Sequence, residues 1–115
     1  MRKFLLTLMP ALLLGSAAAH AHAHLDHANP RVGSTVRTAP REVTLWFSQK
    51  LEPSFSSAEV TDASGARVDQ GARAEGMQIH VSIKLLPPGT YRVRWHVLSV
   101  DTHKTEGNFT FRVGQ

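Results

Sequence analysis

The 115-residue sequence contains no cysteine. Disulfide bonds therefore cannot stabilise its fold, and metal sites built from thiolates are excluded. Its basic residues are scattered, with no cluster and no aromatic RNA-binding motif, so a nucleic-acid partner is not expected. The sequence also lacks an apolar run of the roughly 20 residues that a membrane-spanning helix needs. A stable domain must instead depend on a hydrophobic core, and the chain is long enough to bury one.

The first 21 residues are typical of a secretory signal peptide. Arg2 and Lys3 form a charged start, residues 4–15 are mostly apolar, and small residues follow. Three cuts satisfy the small-x-small rule, and they would release His20, His22 or His24 as the first residue. A cut after Ala21 lowers the formal net charge from +4 to about +2, because two basic residues are removed. We therefore predict export of the chain; the rule alone does not choose among the three cuts, and the one after Ala21 would leave a mature domain of residues 22–115.

The mature part shows the alternation of apolar and polar residues that is typical of β-strands, and no stretch keeps a helical period. Residues 25–34 are predicted to be extended with a turn at Gly33, and residues 70–76 to be a loop. Strands are predicted at residues 43–48, 55–62, 66–69, 77–83, 90–97 and 108–113. About seven short strands indicate an all-β fold, a Greek-key barrel or sandwich of immunoglobulin-like or cupredoxin-like type.

The strongest functional signal is a histidine that the signal cleavage would place first in the chain. Such a residue offers a metal two nitrogens, its imidazole and its free α-amine, whose pKa is about 8. Asp101 and His103 are two residues apart, so in an extended segment both side chains would point to the same side. The resulting set of nitrogen and oxygen donors suits copper(II). We therefore predict one mononuclear copper(II) site built from His22, Asp101 and His103.

Five stretches of the mature sequence resemble the CopC family of periplasmic copper-binding proteins. They are residues 22–25, Asn29-Pro30 together with Gly33-Ser34, Leu45-Trp46-Phe47-Ser48, Pro88-Gly89-Thr90-Tyr91-Arg92-Val93, and residues 100–103 together with 109–113. The resemblance implies a Greek-key β-barrel and a cut after Ala21. It also implies copper(II) bound by the amine and imidazole of His22 together with Asp101 and His103.

At the level of function, the resemblance implies a copper carrier or buffer that serves copper homeostasis or resistance and is not an enzyme. We expect the protein to be a monomer. Its implied partner is an inner-membrane copper transporter of the CopD type. Two departures from the family are visible. The loop that is methionine-rich in some members contains only Met77 here, which argues against a copper(I) site. Many members carry glutamate where this chain has Gln49, a residue that could contact a copper ligand or a bound water.

Three alternatives remain open at this stage. A free amine followed by His24 in third position could bind copper locally, through the amine, two backbone amides and the imidazole. A terminal-histidine copper site also occurs in oxygenases. An immunoglobulin-like module without metal is the third possibility. His27, His80 and His96 are predicted to be surface residues.

Overall fold

A computed structural model describes residues 22–115, so the predicted signal peptide lies outside the described residues. These residues form two four-stranded sheets that pack face to face, which confirms the all-β prediction. The first sheet has the order β1-β3-β6-β5 and the second has the order β2-β8-β7-β4. All pairings are antiparallel except that of β2 with β8. The strands are β1 (Leu25–Asn29), β2 (Thr35–Val36), β3 (Glu42–Phe47), β4 (Ser57–Thr61), β5 (Asp69–Glu75), β6 (Gln78–Ile83), β7 (Gly89–Leu98) and β8 (Lys104–Val113).

The core lies between the sheets and is made by alternate residues of the central strands, as the sequence pattern predicts. Burial of these side chains is the main contribution to stability in a domain without disulfides. The buried inward residues include Val43, Leu45 and Phe47 of β3, Ile79, Val81 and Ile83 of β6, Tyr91, Val93 and Val97 of β7, and Phe109, Phe111 and Val113 of β8.

Several local predictions are wrong. Residues 70–76, predicted as a loop, belong largely to β5, because their backbone pairs with β6 although their side chains are small, polar and exposed. Gly71 adopts a φ of 122° at the register shift in this strand, a conformation that glycine tolerates. Residues 66–68 do not form a strand of their own: Arg67 makes an isolated bridge with Thr61, and Asp69 begins β5.

Other boundaries differ by a few residues. Pro53–Phe55 forms a 3₁₀ turn that leaves Phe55 64% exposed, so the strand predicted from Phe55 begins at Ser57. The short strand β2 was not predicted, and β8 begins at Lys104 instead of Asn108.

Within residues 22–115, no helix has the length and apolar character that crossing a bilayer requires.

The order of the strands brings three distant segments to one end of the sandwich. β1 begins there and β3 ends there, while β7 ends and β8 begins at the same end. Backbone hydrogen bonds tie these segments together, from the Ser48 N–H to the His24 carbonyl at 3.0 Å and from the Val100 N–H to the Lys50 carbonyl at 3.0 Å. The first described residues therefore lie beside the β7–β8 turn.

Candidate metal centre

The three predicted copper ligands lie next to one another at this end of the sandwich. The ring centroids of His22 and His103 are 4.3 Å apart, with the rings tilted by 52°. The Nδ1 atom of His103 is 3.3 Å from an Asp101 carboxylate oxygen, and both side chains are partly open to solvent. Residues separated by about 80 positions in the sequence are thus brought into contact by the fold.

His22 is held in place by its neighbours in the chain. Ala23 is fully buried, and its carbonyl accepts a hydrogen bond of 2.7 Å from the Thr105 hydroxyl. On the other side, the His24 N–H donates to the Ser48 hydroxyl oxygen at 3.0 Å. Residues 23 and 24 are therefore fixed between β3 and β8, and they direct His22 towards His103. We call Ser48 and Thr105 the terminal clamp.

Sequence reasoning did not identify the terminal clamp. Single serine and threonine residues carry no periodic signal, and their partners here are backbone groups more than 20 positions away. The Ser48 hydroxyl also lies 3.2 Å from Nδ1 of His24, so this ring rests on Ser48.

Asp101 and His103 are brought together by a tight turn rather than by an extended segment. The Ser99 N–H donates to the His103 carbonyl at 3.0 Å, and the Thr102 N–H donates to the Ser99 carbonyl at 2.8 Å. Thr102 adopts a φ of 74°, in the left-handed region. The expected proximity of the two side chains is therefore observed, but its predicted cause, an extended backbone, is wrong.

Ser99 organises this turn from inside the core. Its side chain is fully buried, and its hydroxyl donates a hydrogen bond to the Asp101 carboxylate. This hydrogen bond is the main reason why the pKa of Asp101 lies below its usual value, and His103 lowers it further. Asp101 is therefore ionised, as a metal ligand must be.

The donor types fit copper(II), whereas the positions of the side chains do not yet form a coordination sphere. Among residues 22–115, no three His, Asp or Glu side chains are arranged to hold a metal ion. One reason is that His103 Nδ1 faces the Asp101 carboxylate. Both rings are accessible, and their rotation would redirect the imidazole nitrogens. A cut before His22 would free its α-amine as a further donor.

The other histidines occupy separate positions. His27 stacks on Trp46 with ring centroids 4.4 Å apart and contacts Asp26 at 3.0 Å. His80 lies 3.3 Å from Glu42 on the outer face of the first sheet. His96 is exposed on the outer face of the second sheet. Gln49, the remaining candidate, is half-buried and directly follows Ser48.

Comparison with known proteins identifies the family. The CopC domain model matches residues 25–114. Protein YobA of Escherichia coli (strain K12) is 43% identical over 98 residues, covering 81% of this chain and 79% of that protein. The crystal structure of PcoC, a methionine-rich copper resistance protein from Escherichia coli, is similar with a TM-score of 0.70 at 36% identity, covering 81% of this chain and 99% of that chain. The copper transport protein CutJ of Bacillus subtilis (strain 168) is 30% identical over 100 residues, covering 83% of this chain and 18% of that longer protein. The chain therefore belongs to the CopC family.

Proposed function

We propose that this protein is a periplasmic copper(II) carrier or buffer, exported by a signal peptide that is cut after Ala21. Its single copper site would consist of the α-amine and imidazole of His22 with the side chains of Asp101 and His103. The observation that carries the proposal is the contact between the His22 and His103 rings, with Asp101 beside them. Membership of the CopC family supports a binding protein rather than an enzyme.

The proposed ligands explain how copper would be held and released. Two imidazoles, an amine and a carboxylate form a tetragonal nitrogen and oxygen set, which suits copper(II) better than zinc or copper(I). The three nitrogen donors must all lose or lack protons to bind, so affinity falls as the pH drops from 7 to 5. The carboxylate contributes little to that dependence, because the pKa of Asp101 is already below its usual value.

The contacts of residues 23 and 24 argue against the rival local site. That site requires the backbone amides of Ala23 and His24 to lose their protons and turn towards the metal. In the folded chain, the His24 N–H donates to Ser48 and Ala23 is fully buried. A local chelate would therefore have to break the terminal clamp and expose Ala23.

We infer that the carrier works as a monomer and delivers copper to a membrane transporter of the CopD type. The match to CutJ supports this inference, because there a segment similar to this chain is joined to a much longer copper transport protein. A separate carrier and a separate transporter would perform the same transfer through a transient contact.

The test is a copper(II) titration, followed by electron paramagnetic resonance, on two forms of the protein. One form begins at His22 and the other carries one extra residue before it. We expect the extra residue to weaken binding by orders of magnitude and to change the nitrogen hyperfine pattern, because it removes the amine. Equal affinities and equal spectra would exclude the terminal amine as a ligand. His103→Ala provides the second comparison, since it removes the proposed ligand farthest from His22 in the sequence.

A further inference from the structure

The outer face of the second sheet carries three arginines close together. Alternation along β7 turns Arg92 and Arg94 outward, and the pairing of β7 with β8 places Arg112 on the same face, opposite Thr90. Arg94 is paired across the strands with Glu59 of β4 on one side and with Asn108 of β8 on the other. We call Arg92, Arg94 and Arg112 the arginine face.

Among residues 22–115, no carboxylate forms a salt bridge with any of these three guanidinium groups, and the Glu59 carboxylate is paired with Arg67. Arg92 donates to the side-chain oxygen of Asn108, and Arg112 donates to the Thr90 hydroxyl at 2.7 Å. Within the described part of the chain, Arg94 has no hydrogen-bond or ion-pair partner. By contrast, two other strand-associated arginines are paired with acids, Arg67 with Asp69 and Arg73 with Glu75. The positive charge of the arginine face is therefore available to a ligand.

The surface around Arg94 is concave. A cleft of about 690 Å³ runs between two rows of side chains that cross the strands. A smaller cleft of about 210 Å³ lies on the other side of Arg94. The first cleft is bordered by the row Ser57, His96 and Glu106 and by the row Glu59, Arg94 and Asn108. Arg94 therefore stands between two clefts and can be approached from both sides.

The opposite side of the molecule has the opposite charge. The outer face of the first sheet and its edge carry Asp26, Glu42 and Glu75, with Arg73 as the basic residue among them. The two outer faces of the protein therefore differ in charge. The arginine face does not simply reflect the overall excess of basic residues in the chain.

We propose that the arginine face is a docking site for an extended acidic segment of a partner protein. Arg92 and Arg94 are two residues apart on one strand, a separation of about 6.8 Å. Carboxylates at alternate positions of an extended segment have the same separation. Arginine binds carboxylates through paired hydrogen bonds, and these are stronger than bonds between neutral groups.

The spacing of Arg92 and Arg94 along one strand favours an extended protein segment over a lipid surface. Among the described residues, the strands of the second sheet carry no exposed large apolar side chain that could enter a bilayer, although Phe55 shares a cleft with His96 and Glu106. The described residues of that kind are Val32, Phe55, Met77, Leu85 and Val100, all outside the strands of the second sheet. The proposal does not depend on copper binding.

The experiment uses the metal-free chain from His22 onward, which contains every described strand. A synthetic peptide with aspartate alternating with serine is titrated into the isotope-labelled protein and followed by NMR. We expect shifts confined to residues of β4, β7 and β8. A matched peptide with asparagine in place of aspartate should cause none. Shifts spread over both outer faces would overturn the proposal.

Two variants with the same net charge make the test specific. Arg94→Gln should weaken peptide binding about tenfold, because a charge-assisted contact is lost. Arg73→Gln, on the opposite sheet, should leave the affinity within about twofold. Equal losses in both variants would mean that only net charge matters and would refute the docking site. Binding to phosphatidylglycerol vesicles without binding to the peptide would assign the face to a membrane instead. Arg94 is exposed and unpartnered, so thermal unfolding should be unchanged in Arg94→Gln.

Discussion

Ser99 is a buried residue whose hydroxyl holds a carboxylate at the surface. It connects the hydrophobic core to the proposed copper site, because the same side chain contacts Asp101 and the backbone of His103. A buried hydroxyl without these partners would be unfavourable, so the core and the turn stabilise each other. The geometry of the site is therefore determined partly by a residue that binds no metal.

We predict that Ser99→Ala raises the pKa of Asp101 towards its ordinary value, because the main hydrogen bond to the carboxylate is lost. Copper(II) binding should weaken by about tenfold, since Asp101 is then free to rotate. NMR titration of the Asp101 carboxyl in the metal-free protein measures the first effect, and copper titration measures the second.

Ser56→Ala is the matched control for this prediction. Ser56 is also a buried serine near the end of β7, but its hydroxyl contacts the backbone of Leu98. We expect a similar cost in stability, about 1 kcal/mol, with no change in the Asp101 pKa. An altered pKa in both variants would show that Ser99 acts only through general stability.

At the scale of elements, an ion pair connects the two sheets at their β4–β5 edge. The Asp69 side chain is 5% exposed and accepts hydrogen bonds from the Val60 N–H at 2.8 Å and from Arg67 at 2.8 Å and 2.9 Å. Burial alone would raise the pKa of Asp69, but these bonds outweigh it and the pKa is lowered. β4 and β5 belong to different sheets, so this carboxylate joins the two layers.

The lowered pKa of Asp69 gives a pH dependence with a definite sign. The unfolded chain binds a proton more readily than the folded one, so the pair stabilises the fold above the ordinary pKa of 3.8. That contribution is lost as the pH falls through the folded-state value. We predict that Asp69→Asn lowers the free energy of unfolding at pH 7 by about 1–3 kcal/mol and reduces the loss of stability at acid pH. Urea unfolding at several pH values measures both effects.

The exposed pair of Arg73 and Glu75 serves as the control. Both side chains are more than 60% exposed, and such pairs contribute about 0–1 kcal/mol. Glu75→Gln should therefore change stability little at any pH. A loss as large as that of Asp69→Asn would contradict the role assigned to burial at the edge of the sheets.

β5, which lies at this edge, is a strand that the sequence pattern did not predict. β3, β6 and β7 were predicted because one face of each is buried, and this produces a strict alternation. β5 has exposed small and polar residues, so its pairing with β6 leaves no apolar signal. The site shows a similar division. The proposed ligands His22, Asp101 and His103 were predicted from their chemistry and position, whereas the hydrogen bonds of Ser48, Ser99 and Thr105 that support them are created only by the fold.

For the whole molecule, the proposed site would couple copper binding to folding through the chain end. A ligand that binds only the folded state stabilises it by about 2.7 kcal/mol when its free concentration is 100 times the dissociation constant. The unfolded chain would still offer copper the amine, backbone amides and His24 imidazole of residues 22–24. Binding to the unfolded state reduces the stabilisation. The measured shift in Tm therefore reports the difference between the folded and the local site.

This competition leads to opposite predictions for two histidines. His24→Ala should increase the rise in Tm caused by copper, because it weakens the local site in the unfolded chain and leaves His22, Asp101 and His103 in place. His103→Ala should decrease that rise, because it removes a ligand of the folded site. The measurement is thermal unfolding of each metal-free variant and of the same variant with copper(II). If His24→Ala abolished the rise while His103→Ala left it unchanged, the local chelate would hold copper in the folded protein as well, and the site built across the fold would be refuted.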